Sequence, residues 1–227
     1  MSRRPASICE MASLVIIAIW TFSVLRYSSI LAQNSSTYWT PFDCTLIQDQ
    51  YIDAPGGPYR IKVEGVYARN SQGMSYNRRT ASTRSPLPLV GTLDMAFFHD
   101  RPNHITYVID FANRTIKQQS DPSGNPDFAL EPPSRAVFDA RHAGDLSLGK
   151  QILSGVECEG YKLADPHHNG KYNGEEWFAP SLNFLAVRYE GRPIDGRQIS
   201  FVIKDLESGR EPDPRFFVLP AGFKRVK

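Results

Sequence analysis

The chain has few of the marks that assign a reaction. Among its 227 residues are only three cysteines and five histidines, and they show none of the Cys/His spacings that hold zinc. No Gly-x-Ser-x-Gly elbow and no glycine-rich phosphate loop is present, so the signatures of acyl hydrolases and of nucleotide-binding enzymes are missing. Charge of one sign is also lacking. The formal net charge is +2, and without residues 1–32, which carry Arg3, Arg4, Arg26 and Glu10, the chain is formally neutral. A nucleic-acid partner needs a concentrated basic surface, so none is expected. There is no long amphipathic helical stripe and no internal repeat at solenoid or propeller periods.

Long hydrophobic runs are nearly absent as well. Met11 to Leu25 is an uncharged, mostly apolar run of 15 residues, about 22 Å as a helix against a hydrocarbon core of about 30 Å. Arg3 and Arg4 precede it and Ala32 offers a small residue before Gln33. Residues 1–32 therefore read as a signal peptide cleaved after Ala32 or, lengthened by Ile30 to Ala32, as a signal-anchor helix over 11–32. Either way the bulk of the chain is expected outside the cytoplasm, in the periplasm, with membrane contact confined to that segment if it stays uncleaved. Cleavage leaves Cys44 and Cys158, an even pair in an oxidising compartment and so a candidate disulfide. Closing that loop is worth roughly 4–5 kcal/mol by chain entropy. The alternative is two separately buried thiols.

What remains is a chain of short alternating segments. Residues 33–57 read as a spacer leading into the domain, with a short strand or one helical turn at Leu46 to Tyr51. Residues 58–227 read as one antiparallel β domain. Tyr59 to Tyr67 alternates polar and apolar at period two, as a strand with one wet face does. Ile105, Tyr107, Ile109 and Phe111 fall on one face of the cleanest strand, and Ile116 to Gln118 pairs back as a hairpin. Leu146 to Leu163 reads as two strands around Gly155, and Ile199, Phe201 and Ile203 share a face in the last long strand. Leu93 to His99 fits either a helix or a strand. The sum is a mainly β antiparallel fold with one sheet face packed inward and some α content allowed.

Candidate sites are sparse and each has a bland alternative. His167 and His168 beside Asp165 are the best metal-like cluster, yet adjacent histidines project differently, which favours a solvated loop. His99, Asp100, Arg101 and His104 more simply mark the turn before the Ile105 strand. Glu175 and Glu176 are neighbours in a strand, so they point to opposite faces rather than converge as acid and base. Arg78, Arg79 and Arg84 have the charge for an anionic head group, although a solvated, balanced surface is the plainer reading. No catalytic residue, metal ligand or cofactor is assigned, and the ligand-binding residues are not identified by the sequence.

Three motifs carry a resemblance. Tyr67-Ala68-Arg69-Asn70-Ser71-Gln72-Gly73, the Trp177 to Leu182 turn and Glu211-Pro212-Asp213-Pro214 running on to Pro220 resemble an uncharacterised family of exported bacterial proteins of acidobacterial type. That family is itself distantly similar to the outer-membrane lipoprotein-sorting fold, which implies a curved antiparallel sheet or half-barrel. Asn70 departs from the family's usual Asp, and Met74 stands where Arg is frequent. The resemblance implies an extracytoplasmic, non-enzymatic domain that binds a lipid-like or other apolar ligand. A sensing or scaffold module that binds an envelope protein is the alternative, and a hydrolase or metal enzyme is the least favoured reading. The prolines of the C-terminal motif have a structural role open to them, because Pro212 and Pro214 cannot donate to a ladder and so end strand pairing. Phe217 and Phe223 would then pin the chain end to the core.

Overall fold

The computed structural model describes residues 38–52, 59–84, 93–120, 131–164, 172–191 and 198–226. Twelve strands form one sheet: β1 (Phe42–Ile52), β2 (Tyr59–Arg69), β3 (Ser75–Arg84), β4 (Leu93–Asp100), β5 (Ile105–Asp110), β6 (Thr115–Ser120), β7 (Leu146–Leu153), β8 (Val156–Ala164), β9 (Tyr172–Ala179), β10 (Leu185–Gly191), β11 (Gln198–Ser208) and β12 (Lys224–Val226). Among the described residues one α-helix, α1 (Arg135–Arg141), lies between β6 and β7. The strand order is β12-β6-β5-β4-β3-β2-β1-β11-β10-β9-β8-β7. The first and last strands of that order do not pair with each other, so the sheet is open; it is also curved, as the resemblance implied. One pairing departs from the antiparallel expectation: β12 joins β6 in parallel, because the C-terminal segment crosses the sheet before it pairs.

β1 is longer and more central than the sequence suggests. The segment expected to hold a short strand or a helical turn is an 11-residue strand between β2 and β11. Its alternation is hidden because Gln48 and Gln50 occupy inward positions at 6% and 4% exposure, where hydrophobic residues would have announced a buried face. Leu93 to His99 resolves as strand β4, since its partners β3 and β5 both pair with it.

The two faces of the sheet are covered differently. Over β3 to β6, Tyr76, Ala96, Phe98, Ile109 and Ile116 form a core cluster roofed by Phe216, Phe217, Leu219 and Phe223. The Pro-rich C-terminal motif is therefore a clamp: Asp213 caps a short 3-10 turn at Pro214–Phe217, and Phe223 meets Phe111 edge-on at 5.5 Å. The opposite face is lined by directly paired residues, which share a side. One row runs Ala81–Val63–Gln48–Phe201–Tyr189–Glu176–Tyr161. The next holds Ile61, Gln50 and Ile199. Ile61, Val63, Ala81, Gln48, Gln50 and Ile199 are all buried, and among the described residues no second sheet covers them. Such burial fits the inner side of a curved sheet. Gly65 marks one bend: a Cβ there would lie 2.0 Å from the Arg78 carbonyl oxygen, a backbone approach only glycine permits.

Candidate functional site

The concave face is the candidate site, and α1 forms one wall of it. Ser134 caps the helix, its Oγ accepting from the Val137 N–H at 3.3 Å. The single buried residue of the helix, Phe138, stacks on Phe184 at 4.1 Å and meets Phe178 and Tyr161 edge-on at 5.0 and 5.6 Å. Arg135 holds the outer side of the helix to β8 through Glu159 at 2.7 Å. At the helix C-terminus His142 lies against Phe138 and bonds Asp145 at 2.7 Å through Nδ1. The other Asp145 oxygen accepts the Ala164 N–H at 2.7 Å.

From this wall the face continues through Glu176, Tyr189 and Phe201 to the buried glutamines. Tyr189 and Phe201 stack at 6.0 Å. Glu176 retains partial contact with solvent, but protein surrounds it in the concavity. Desolvation, with a smaller contribution from the Asp145 charge, pushes its carboxyl up to about 8, so it is largely protonated at neutral pH. The Oε1 of Gln50 is buried with no hydrogen-bond partner. On β3, Arg79 extends along the same face and donates to Asn77 Oδ1 at 2.8 Å. Burial lowers its guanidinium to about 10. The face therefore combines an apolar lining with Gln48, Gln50, Arg79 and Glu176, a mixture suited to orienting an apolar ligand.

The residues singled out in the sequence fall in three places. Glu175 and Glu176 diverge as expected, Glu175 being exposed and 3.7 Å from Lys162. The basic run divides between the faces: Arg78 makes a two-pronged pair with Asp94 at 2.9 and 2.8 Å and lies over Phe111, away from Arg79. His99 and His104 do not converge. His99 bonds Thr106 on the concave face at 2.8 Å, and burial followed by the Arg101 charge lowers it to about 3. His104 is an exposed left-handed cap. Asp165, His167, His168 and the 1–32 segment lie outside the described residues, and the side chain of Arg84 does too. Among the described residues no group of three or more His, Cys, Asp or Glu could hold a metal. Cys44 and Cys158 do come together in one core cluster, as free thiols.

The motifs that carried the resemblance converge at one end of the sheet, where they build structure. Arg69, 4% exposed, donates to the Thr40 carbonyl at 3.0 Å, the Leu182 carbonyl at 2.8 Å and Asn183 Oδ1 at 3.0 Å. Trp39 stacks between Arg69 and Arg101 at 4.7 and 4.8 Å. Asn70 Oδ1 accepts from Gln72 and Met74, closing the β2–β3 turn, and Ser71 donates to Glu211. No known family profile matches the chain, and no curated protein matches it. Solved structures similar to it include MucB in complex with MucA(peri), at 12% identity and a TM-score of 0.43, covering 83% of this chain and 57% of that one. The chain thus spans little more than half of MucB. An uncharacterised conserved protein from Thermus thermophilus aligns at 8% identity and a TM-score of 0.43, with 84% and 91% coverage. A LolA superfamily protein from Nitrosomonas europaea aligns at 10% identity and a TM-score of 0.29, with 79% and 90% coverage. Likenesses this distant assign no ligand, partner or reaction to the chain.

Proposed function

We propose that this chain is a non-enzymatic extracytoplasmic binding domain whose concave sheet face holds a lipid-like ligand. The observation that supports this is a buried sheet face over which no second sheet lies among the described residues, with an apolar lining of Ile61, Val63, Ile199 and Phe201 and polar groups set into it. A curled sheet with an apolar lining has no interior purpose unless side chains or a guest fill it. Among the described residues α1 covers the β8–β9 side. The first 32 residues fit a leader or anchor that would place the domain in the periplasm. Delipidated protein should gain thermal stability with fatty acid or phospholipid, because a ligand that binds only the folded state stabilises it by mass action. No shift across a broad lipid panel would overturn the reading.

A second reading has its own observation. Strand β7 is an edge of the sheet and exposes Leu146 and Ile152 at 50% and 68%. Exposed edges pair with extended partner segments. An envelope protein adding a strand there would co-purify at fixed stoichiometry and be lost from an Ile152→Lys variant.

A further inference from the structure

The polar groups on the concave face restrict the head group the proposed ligand would carry. Gln50 is 4% exposed, it stands on the inward side of β1 between Ile61 and Ile199, and its Oε1 meets no donor. A buried acceptor left without a donor is destabilising, and native structures keep such groups mostly where something else satisfies them. An apolar residue at this position would serve a purely structural sheet better, as Ile61 and Ile199 do beside it. We infer that Gln50 is the polar anchor of the site, accepting a hydrogen bond from the hydroxyl or amide donor of an uncharged amphiphile whose hydrocarbon portion lies along Ile199, Phe201 and Val63. This inference rests on the apolar-ligand reading and adds the class of ligand.

The chemistry of the surrounding face agrees. A head group that only accepts hydrogen bonds, such as an ester or an ionised carboxylate, would set its lone pairs against those of Oε1. Glu176, one row away and three strands across from β1, is about 16 Å distant along the sheet at the usual strand and residue spacings. Its carboxyl is held largely protonated by burial, so it gives a cationic head group no counter-ion there at neutral pH. The Arg79 guanidinium, which could pair with an anionic one, stands two strands from β1 opposite Gly65 and Leu46, four residues along the ladder from Gln50. A hydroxylated or amide-bearing head satisfies Gln50 without bringing a charge into the concavity, and so avoids the cost of desolvating one.

The test compares two ligands with the same acyl chain, 1-monomyristoylglycerol and methyl myristate, delivered from cyclodextrin to the delipidated full chain. The first carries hydroxyl donors and the second has none. The wild type is expected to bind the glyceride about 5- to 10-fold more tightly, the scale of one buried neutral hydrogen bond. Gln50→Leu should reduce that preference to within about twofold and raise the melting temperature of the ligand-free protein, because the unmatched acceptor is gone. A purely structural Gln50 would instead lower the melting temperature on substitution. Equal wild-type affinities, in which solvent serves Oε1, would overturn the inference, as would a Gln50→Leu protein that keeps the preference. Either result leaves the apolar-ligand reading standing. Failure of both compounds and of phospholipid to bind wild type overturns both.

Discussion

Replacing Arg69 by Met is the sharpest structural perturbation available. The substitution keeps most of the side-chain volume but removes every hydrogen bond that the Arg69 side chain makes at the end of the sheet where the motifs meet. Three acceptors lose a donor: the Thr40 and Leu182 carbonyls and Asn183 Oδ1, of which Asn183 Oδ1 keeps the Thr40 N–H at 2.8 Å. At roughly 1–1.5 kcal/mol each, this amounts to about 3–4 kcal/mol. Loss of the stacking on Trp39 and Phe42, each 4.7 Å from the guanidinium, adds about 1 kcal/mol. Against this, the buried guanidinium is costly to desolvate, which is why its affinity for the proton falls to about 10, and removing it returns part of the loss. The net expectation is a destabilisation of about 3 kcal/mol, or a fall in Tm of about 6–12 °C for a domain of this size. Urea unfolding of wild type and variant measures it directly, provided the m-value is unchanged. Arg60→Met is the matched control, because its pair with Asp49 at 2.9 Å is open to solvent on the Arg60 side and screened by it, so the substitution should leave stability nearly unchanged. A loss below about 1 kcal/mol for Arg69→Met, or equal losses for both variants, would refute the account of Arg69 as the tie between β2, the chain before β1 and the Pro180–Leu182 turn.

Glu176 should give the stability curve a recognisable slope. Its folded carboxyl sits near 8 and its unfolded one near 4.5, so the folded state holds the proton more tightly. Its contribution is fully present below the unfolded value and is lost as pH rises through about 8. Melting temperatures from pH 5 to 9 should therefore fall in wild type and flatten over that window in Glu176→Gln; parallel curves would show that Glu176 is not the source. Gly65→Ala should cost about 2–3 kcal/mol, because the new Cβ meets backbone at 2.0 Å, and a variant as stable as wild type by urea unfolding would contradict the bend at that position. Phe138→Ala should cost about 3–5 kcal/mol and loosen α1, read as faster amide exchange over Arg135–Arg141; unchanged exchange would detach the helix from the aromatic wall. Burial and the Asp43 charge push the Cys44 thiol up to about 12, so iodoacetamide at pH 8 should label it only after unfolding, and rapid labelling of the folded protein would contradict its burial. The same mass measurement tests the bridge expected between Cys44 and Cys158, since a bridged pair takes no label on unfolding until it is reduced.

Strands β5 and β11 were legible in the sequence because their burial is carried by hydrophobic side chains at period two. Ile105 to Phe111 and Ile199 to Ile203 show it plainly, and Gly155 with its left-handed backbone (φ 82°) marks the turn between β7 and β8. The site was hidden for the same physical reason. Its most informative members are polar: a glutamine alternating with other polar residues in β1 looks like a wet strand until the curl of the sheet shows which side is inside. Glu176 was legible only as half of a divergent pair, since the desolvation that sets its proton affinity comes from strands distant in sequence. His142 and Asp145 gave no signal, because their bond depends on how α1 ends against β8. The motifs told the opposite story. Tyr67 to Gly73, Trp177 to Leu182 and Glu211 to Pro220 stood out because caps, turns and close-packed rings tolerate few residue types, and the structure joins all three at one end of the sheet. The most recognisable residues therefore close the fold. The residues that would recognise a ligand are ordinary ones, made specific by curvature, and Gln50 tests this division of labour: if it behaves as a structural residue, the polar positions of the concave face belong with the motifs, and the apolar lining alone must account for binding.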